Sequence, residues 1–183
     1  MHPLEMLILV LRSCDASQFE PNRTQLQKIV YFCRHQLHLE PLHSAHYYGP
    51  YSAEVAEALR DLVGLGFVQE GRETFSNEED MNEIIRYSYC LSKHGAKMAK
   101  EIAEESGSQS QTIHETVCAI LRSGVETEAL ANAAKVHYIL RGTQRAIQAN
   151  RQEVSKQASR LGWRLTGEQI DVALDYLDGA RFL

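Results

Sequence analysis

The stretch from Leu26 to Leu91 constrains the fold most, because it sets two helical patterns and one strand pattern in a fixed order. Its first part, LQKIVYFCRHQL, has the apolar spacing of a helix, and AEVAEALRDLVGLGF repeats that spacing after a tyrosine-rich bend. Ser52 precedes the second helix and can accept a hydrogen bond from a free first-turn N–H, so we predict it as the N-cap. Gly66 stands where a left-handed residue would end that helix.

Two strand-like runs follow the second helix. The first begins at Phe67, the polar and acidic segment from Thr74 to Asp80 is predicted as a loop, and an alternation of apolar residues marks the second run: Ile85, Tyr87, Tyr89 and Leu91. Helix, bend, helix and hairpin is the order of a winged helix-turn-helix, with the hairpin as its wing. We therefore predict a mainly α fold of the α+β type built on this module.

The segments on either side of this stretch are predicted to be helical. A first helix has its apolar stripe at Leu4, Leu7, Ile8 and Leu11, and Asn22 or Thr24 can cap the next one. Three polar residues of that next helix lie off its apolar stripe: Lys28, Arg34 and His35. In the bend, Tyr47, Tyr48 and Tyr51 surround one turn, and we expect their rings to cover the edge of the core.

A composition change after the hairpin suggests a domain boundary. Ser92 can cap a helix that runs to about Glu105, and the run EESGSQSQT over residues 104–112 has almost no apolar side chain. We predict a winged-helix domain over residues 1–105, a linker over residues 106–112 and an all-helical domain over residues 113–183.

The second half has helical signals throughout. One helix is predicted to end at Gly124, the next to be capped by Thr127 and to end at Gly142, and a third to run from Thr143 to Leu161. The tetrapeptide from Thr166 to Gln169 has the form of a capping box that opens a last helix. Trp163 precedes it, and we expect its ring to be buried with its N–H on a carbonyl.

Length and composition indicate an ordinary soluble globular protein. The chain has 183 residues, of which 44% are hydrophobic and 23% charged. The apolar run from Leu4 to Leu11 is too short for a membrane span and lacks the flanks of a signal peptide, so we expect a cytoplasmic protein without a membrane partner. The four cysteines have no C-x-x-C spacing and are expected to be reduced.

Charge is distributed unevenly along the chain. The net charge is −5, and the acidity belongs to the first 105 residues, whereas the remainder is close to neutral. The predicted groove-reading helix carries three acidic residues, Glu54, Glu57 and Asp61, against the single cation Arg60. Phosphates would be repelled by such a helix.

Four short motifs resemble a group of prokaryotic winged-helix proteins. They are RTQLQKIVYF from Arg23, YGPYS from Tyr48, LVGLGFV from Leu62 and YCLSKHG from Tyr89. This part of the chain is similar to the YwgA-like proteins and, more distantly, to the Panacea (SocA-like) antitoxin domain. The resemblance covers about the first hundred residues and implies a non-enzymatic regulatory or antitoxin-type module, without catalytic residues to carry over.

Two classes of function are open at this point. In the first, a transcriptional regulator or antitoxin-type protein binds DNA through cations outside the acidic helix, and it forms a homodimer. The candidate DNA-binding residues are Arg72, Arg86, Lys93, Arg141, Arg145, Arg151, Lys156, Arg160 and Arg164. In the second, an adaptor or inhibitor binds a basic protein partner through the acidic helix. The candidate partner-binding residues are Glu54, Glu57, Arg60 and Asp61.

No motif of an enzyme or of a metal site is evident. The chain contains no Gly-rich phosphate loop, no G-x-S-x-G and no H-E-x-x-H. His35 and His38 lie one helical turn apart, but no Cys or carboxylate at ligand spacing completes a site. We predict a protein that is not an enzyme and that needs neither metal nor cofactor.

Overall fold

The computed structural model describes residues 1–76, 83–142 and 151–183. Within these ranges the chain forms eight α-helices and one two-stranded antiparallel hairpin, which confirms the mainly α prediction. The helices are α1 (Pro3–Ala16), α2 (Arg23–Gln36), α3 (Ala53–Gly64), α4 (Lys93–Ser106), α5 (Ser108–Ser123), α6 (Thr127–Gly142), α7 (Arg151–Arg160) and α8 (Gly167–Gly179), and the strands are β1 (Val68–Ser76) and β2 (Glu83–Leu91). None of the described helices is long and apolar enough to cross a bilayer.

Helix α1 lies at the centre of the hydrophobic core. Its residues from Met6 to Leu11 are at most 1% exposed, so burial extends around the whole helix rather than along one stripe. Elements from both halves of the chain surround it: α2, α3, α4, α5 and β2. Complete burial of one such side chain contributes about 1.5–3 kcal/mol.

The predicted helix starts are set by side-chain caps. Asn22 accepts from the N–H of Gln25 and forms a capping box with it, so Asn22 rather than Thr24 is the cap of α2. Ser52 and Ser92 cap α3 and α4 as predicted. The predicted capping box at the start of α8 is present. Thr127, in contrast, is the first residue of α6 rather than its cap.

The hairpin runs further than the sequence indicated. Strand β1 continues to Ser76, so the start of the predicted loop, from Thr74, is strand, while residues 77–82 lie outside the described part of the chain. Gly66 ends the turn after α3 with φ of +75°, as predicted. The register pairs Val68 with Leu91 and Glu70 with Tyr89. These side chains share one face, on which Val68 and Tyr89 are buried.

Residues 108–112 of the predicted linker over residues 106–112 are helical and form the first turns of α5. Only Gly107, with φ of +50°, interrupts the helices on either side. Helix α5 packs against α1 and α2, and its Ile113, Val117 and Ile120 are fully buried. One core therefore includes residues from both halves, which argues against independent domains over 1–105 and 113–183. The division into those two domains stays a prediction.

The C-terminal helices are placed by α6, which packs on α2, α7 and α8. The third predicted helix of this half is described from Arg151 to Arg160, and residues 143–150 lie outside the described part. Trp163 follows α7 and is 2% exposed, with its Nε1–H donating to the His46 carbonyl at 2.6 Å. The prediction of a buried ring with its N–H on a carbonyl is confirmed. This contact connects the end of α7 with the bend before α3.

Candidate functional site

The predicted partner-binding residues lie on the solvent side of α3. Glu54, Glu57, Arg60 and Asp61 are all exposed. At about 100° per residue, the three carboxylates fall within roughly 60° of one another around the helix axis, and Arg60 lies roughly 60° beyond Glu57. We call Glu54, Glu57 and Asp61 the acidic face.

The wing cations do not form one surface. Arg72 pairs in register with Tyr87, and Arg86 pairs with Glu73, so the two arginines project from opposite faces of the hairpin. Lys93 is exposed at the start of α4, where Lys97 and Lys100 follow it at i+4 and i+7. The hairpin packs on α1–α4, whereas α7 packs on α6 and α8.

The C-terminal cations are also spread over different surfaces. Arg141 is exposed at the end of α6, and Arg145 lies outside the described residues. Arg151 forms an ion pair with Asp171 of α8. Lys156 and Arg160 are exposed one turn apart on α7, and both lie about 140–180° around the helix from Arg151. Arg151 on the one hand, and Lys156 and Arg160 on the other, therefore face different sides of α7.

Two side chains of α2 hold the bend that precedes α3. Gln27 makes a reciprocal pair of hydrogen bonds with the backbone of Ser52: its Nε2 donates to the carbonyl at 3.0 Å, and its Oε1 accepts from the N–H at 2.9 Å. Lys28 donates through Nζ to the carbonyl of Pro50 at 2.7 Å. The LQK and YGPYS motifs, far apart in sequence, are therefore in direct contact.

The bend exposes aromatic rings that were expected at the edge of the core. Tyr47 is 74% and Tyr48 60% exposed, and their rings meet edge to face with centroids 4.8 Å apart. That prediction is wrong for these two residues, because Gly49 and Pro50 are buried and turn the preceding pair outward. Tyr51 is half-buried.

Two cavities adjoin at this bend. One has a volume of about 630 Å³ and lies between α2 and α3, and the other has a volume of about 720 Å³ and lies between the bend, α6 and the turn after α7. Thr24 and Tyr48 line both cavities, so the two are adjacent, and we call the pair the Tyr48 cleft. The charged residues that line it are Arg23, Lys28, Arg60, Lys135, Arg164, Glu70 and Glu128.

Two lysines approach the backbone of Gly49 in the bend. A Cβ on Gly49 would lie 3.1 Å from Cγ of Lys135 and 3.4 Å from Cε of Lys28, and the φ of Gly49 is +96°, so glycine is required there. Burial lowers the pKa of Lys28 to about 8, and the charge of Lys135 adds to the effect. Burial also lowers the pKa of Lys135, against the opposing charge of Glu128.

A hydrogen-bonded network forms the outer wall of the first cavity. Glu70 accepts from Tyr89 Oη at 2.6 Å and from Arg23 at 3.0 Å. These two hydrogen bonds lower the pKa of Glu70, and the bond from Tyr89 has the larger effect. The Arg23 guanidinium also lies 4.2 Å from the centre of the Tyr87 ring. Glu70 is therefore held as a carboxylate by groups of the cleft wall itself.

Sequence reasoning missed the two lysines of the cleft as a pair. Lys28 and Arg34 lie off the apolar stripe of α2, yet they are 2% and 8% exposed. Both donate to carbonyls of the segment between α2 and α3, Lys28 to Pro50 and Arg34 to Glu40. Lys135 carries no motif. The one available signal was the joint occurrence of LQK and YGP, whose contact only the tertiary structure reveals.

The histidines of α2 do not form a metal site in the described residues, where no group of three or more His, Cys, Asp or Glu side chains could hold an ion. Instead, Tyr31 Oη is 2.8 Å from Nδ1 of His137, whose side chain is buried. Burial, with help from His35 and Arg141, lowers the pKa of His137 to about 3. His137 is therefore neutral in the folded protein at every pH near neutrality.

This neutrality makes the folded state sensitive to acid. The unfolded chain binds a proton at His137 below pH 6.5, whereas the folded chain does so only near pH 3, so stability is complete above 6.5 and falls as the pH is lowered. We expect stability to fall less between pH 7 and pH 4.5 in His137→Gln, which keeps a hydrogen-bonding partner for Tyr31, by about 2–3 kcal/mol. Urea titrations of both proteins across this range measure the difference. Parallel curves would contradict the prediction.

All four cysteines are free, and Cys14 and Cys33 are buried, as expected for reduced core residues.

Comparison with protein-family models and with curated proteins gives no match to this chain. The resemblance to the YwgA-like and Panacea groups therefore rests on its four motifs alone.

Proposed function

We propose that this protein is a non-enzymatic regulatory module of winged-helix arrangement that binds a basic protein partner through the acidic face of α3. The order α1, α2, α3, β1 and β2 supports the winged-helix interpretation. The connection between α2 and α3 is longer than in a simple helix-turn-helix, because it contains the bend that forms the Tyr48 cleft.

The exposure of the acidic face is the observation that carries the proposal. Glu54, Glu57 and Asp61 point to solvent on the helix that a winged-helix protein would place in the major groove. Within the described residues, none of them forms an ion pair. Three carboxylates in that position repel phosphates and complement a partner with Lys and Arg side chains.

Charge reversal tests this proposal. We expect the double variant Glu54→Lys and Glu57→Lys to lose partners that the wild-type protein captures from its own cells, as measured by quantitative mass spectrometry. Asp175→Lys is the matched control, because Asp175 is an exposed acid on α8, away from α3. Equal capture by the wild-type protein and by the double variant would refute the role of the acidic face.

A second candidate function, DNA binding, is supported by the lysines of α4. Lys93, Lys97 and Lys100 are exposed along one side of a helix that packs on β2. In this case DNA would contact α4 and the wing, with α3 turned away. A mobility shift with DNA from the protein's own upstream region would be lost in the triple Lys→Glu variant of these residues, while Arg160→Ala on α7 serves as the cation control. Each lost phosphate contact reduces the salt slope by about 0.9.

A further inference from the structure

The Tyr48 cleft has a charge opposite to that of the whole protein. Its lining includes five cations and two carboxylates, whereas the chain carries a net charge of −5. One of the carboxylates, Glu70, is already bonded to Arg23. A concave site with this excess of positive charge attracts anions.

Lys28 provides the most specific feature of the cleft. Its side chain is 2% exposed, and its ammonium group, which has three N–H donors, makes one hydrogen bond, to Pro50. No carboxylate in the described parts of the chain lies within ion-pair distance of it, and Lys135 brings a second positive charge nearby. Burial of an unpaired ammonium group is unfavourable, and a bound anion would remove much of that cost.

Aromatic rings stand beside these lysines. Tyr48 lines both cavities and leaves more than half of its surface open, and Tyr47 holds it edge to face. An exposed ring next to cations is the combination that stacks on a nucleobase while the phosphate is neutralised. Volumes of about 630 and 720 Å³ lie within the range of small-molecule sites, roughly 300–1,000 Å³.

We propose that the Tyr48 cleft binds a nucleotide, with its phosphates held by Lys28 and Lys135 and its base stacked on Tyr48. Two sources share this chemistry: a free nucleoside diphosphate and the 5′-phosphorylated end of a nucleic-acid strand. The site adjoins the acidic face, because Arg60 of α3 lines its first cavity, but none of the three carboxylates of that face lines it.

Calorimetric titration of the full chain with the four common ribonucleoside diphosphates tests the proposal. We expect at least one to bind with a Kd below about 1 mM. Pyrophosphate alone and the corresponding nucleoside alone should each bind at least about tenfold more weakly than the nucleotide, because each lacks one half of the recognised ligand. Absence of binding by all four nucleotides would overturn the proposal, and equal binding of pyrophosphate would overturn the assignment of Tyr48 to the base.

Substitutions in the cleft locate the binding. Lys28→Met and Lys135→Met should each weaken the affinity at least about tenfold, because each removes a charge-assisted hydrogen bond to the phosphate. Lys93→Met, an exposed lysine outside the cleft, is the control and should bind as the wild-type protein does. Unchanged affinity in Lys135→Met would overturn the proposal even if Lys28→Met failed to fold.

A paired set at Tyr48 tests the stacking. Tyr48→Phe keeps the ring and should bind normally, whereas Tyr48→Leu should weaken binding of the nucleotide but not of pyrophosphate. Equal nucleotide affinity in both variants would overturn the stacking role. Competition between the nucleoside diphosphate and a 5′-phosphorylated tetranucleotide then identifies the source, because the tighter ligand is the one for which the cleft is shaped.

Discussion

Replacement of Trp163 by Ala is expected to lower the free energy of unfolding by about 3–5 kcal/mol. The ring is buried against Tyr138 at a centroid distance of 5.8 Å, and its N–H holds the His46 carbonyl. Removal of the side chain leaves a cavity between α6, the turn after α7 and the bend, and it also removes that hydrogen bond. Urea denaturation followed by circular dichroism measures the change.

Trp163→Phe separates packing from hydrogen bonding. Phenylalanine keeps a six-membered aromatic ring but lacks the five-membered ring that carries the N–H donor to the His46 carbonyl. His46 is exposed, so its carbonyl can accept from water instead. We expect a loss of about 1–2 kcal/mol. A stable Trp163→Ala protein would show instead that the ring contributes little to the core, and its burial would then need another explanation.

The isolated fragment of residues 1–106 is expected to lack a cooperative thermal transition. Helices α1 and α2 would lose α5 and α6, which cover them in the intact chain with fully buried residues including Ile113 and Val117. Exposed apolar surface of that size weakens the hydrophobic stabilisation on which a small domain depends. Differential scanning calorimetry of the fragment beside the full chain measures the effect.

A nicked protein supplies the matched control. Gly107 is exposed, and an added Cβ there would meet nothing within 4 Å, so a protease site inserted at this residue should leave both halves associated and folded after cleavage. The nicked complex should melt cooperatively, whereas the fragment alone should not. A fragment that melts near the temperature of the full chain would establish residues 1–106 as an independent domain.

Local signals in the sequence predicted most of the helix boundaries. Caps such as Ser52 and Ser92, and the capping box at Thr166, depend on hydrogen bonds between residues three apart, and the structure places them as predicted. Exposure on α3 was equally predictable, because a single stripe of that helix is buried: Val55, Ala58, Leu59 and Leu62.

Contacts between distant segments were not predictable in the same way. Burial of Lys28 depends on α6 and on the bend, which lie far from it in sequence. Residues 108–112 are polar and read as a linker, but they continue into a helix whose later residues are buried. Exposure of Tyr48 follows from the direction of one turn at Gly49. In each case the outcome depends on a contact between segments that are distant in sequence, and no local sequence pattern predicts such a contact.

The covering of α1 by α5 has a consequence for the newly made chain. Helix α1 ends at Ala16 and α5 ends at Ser123, so a ribosome that adds about 5–20 residues per second needs on the order of 5–20 s to supply the missing cover. During that interval the apolar surface of α1 is incompletely buried. Synthesis therefore passes through a stage in which this protein depends on dilution or on chaperones to avoid aggregation.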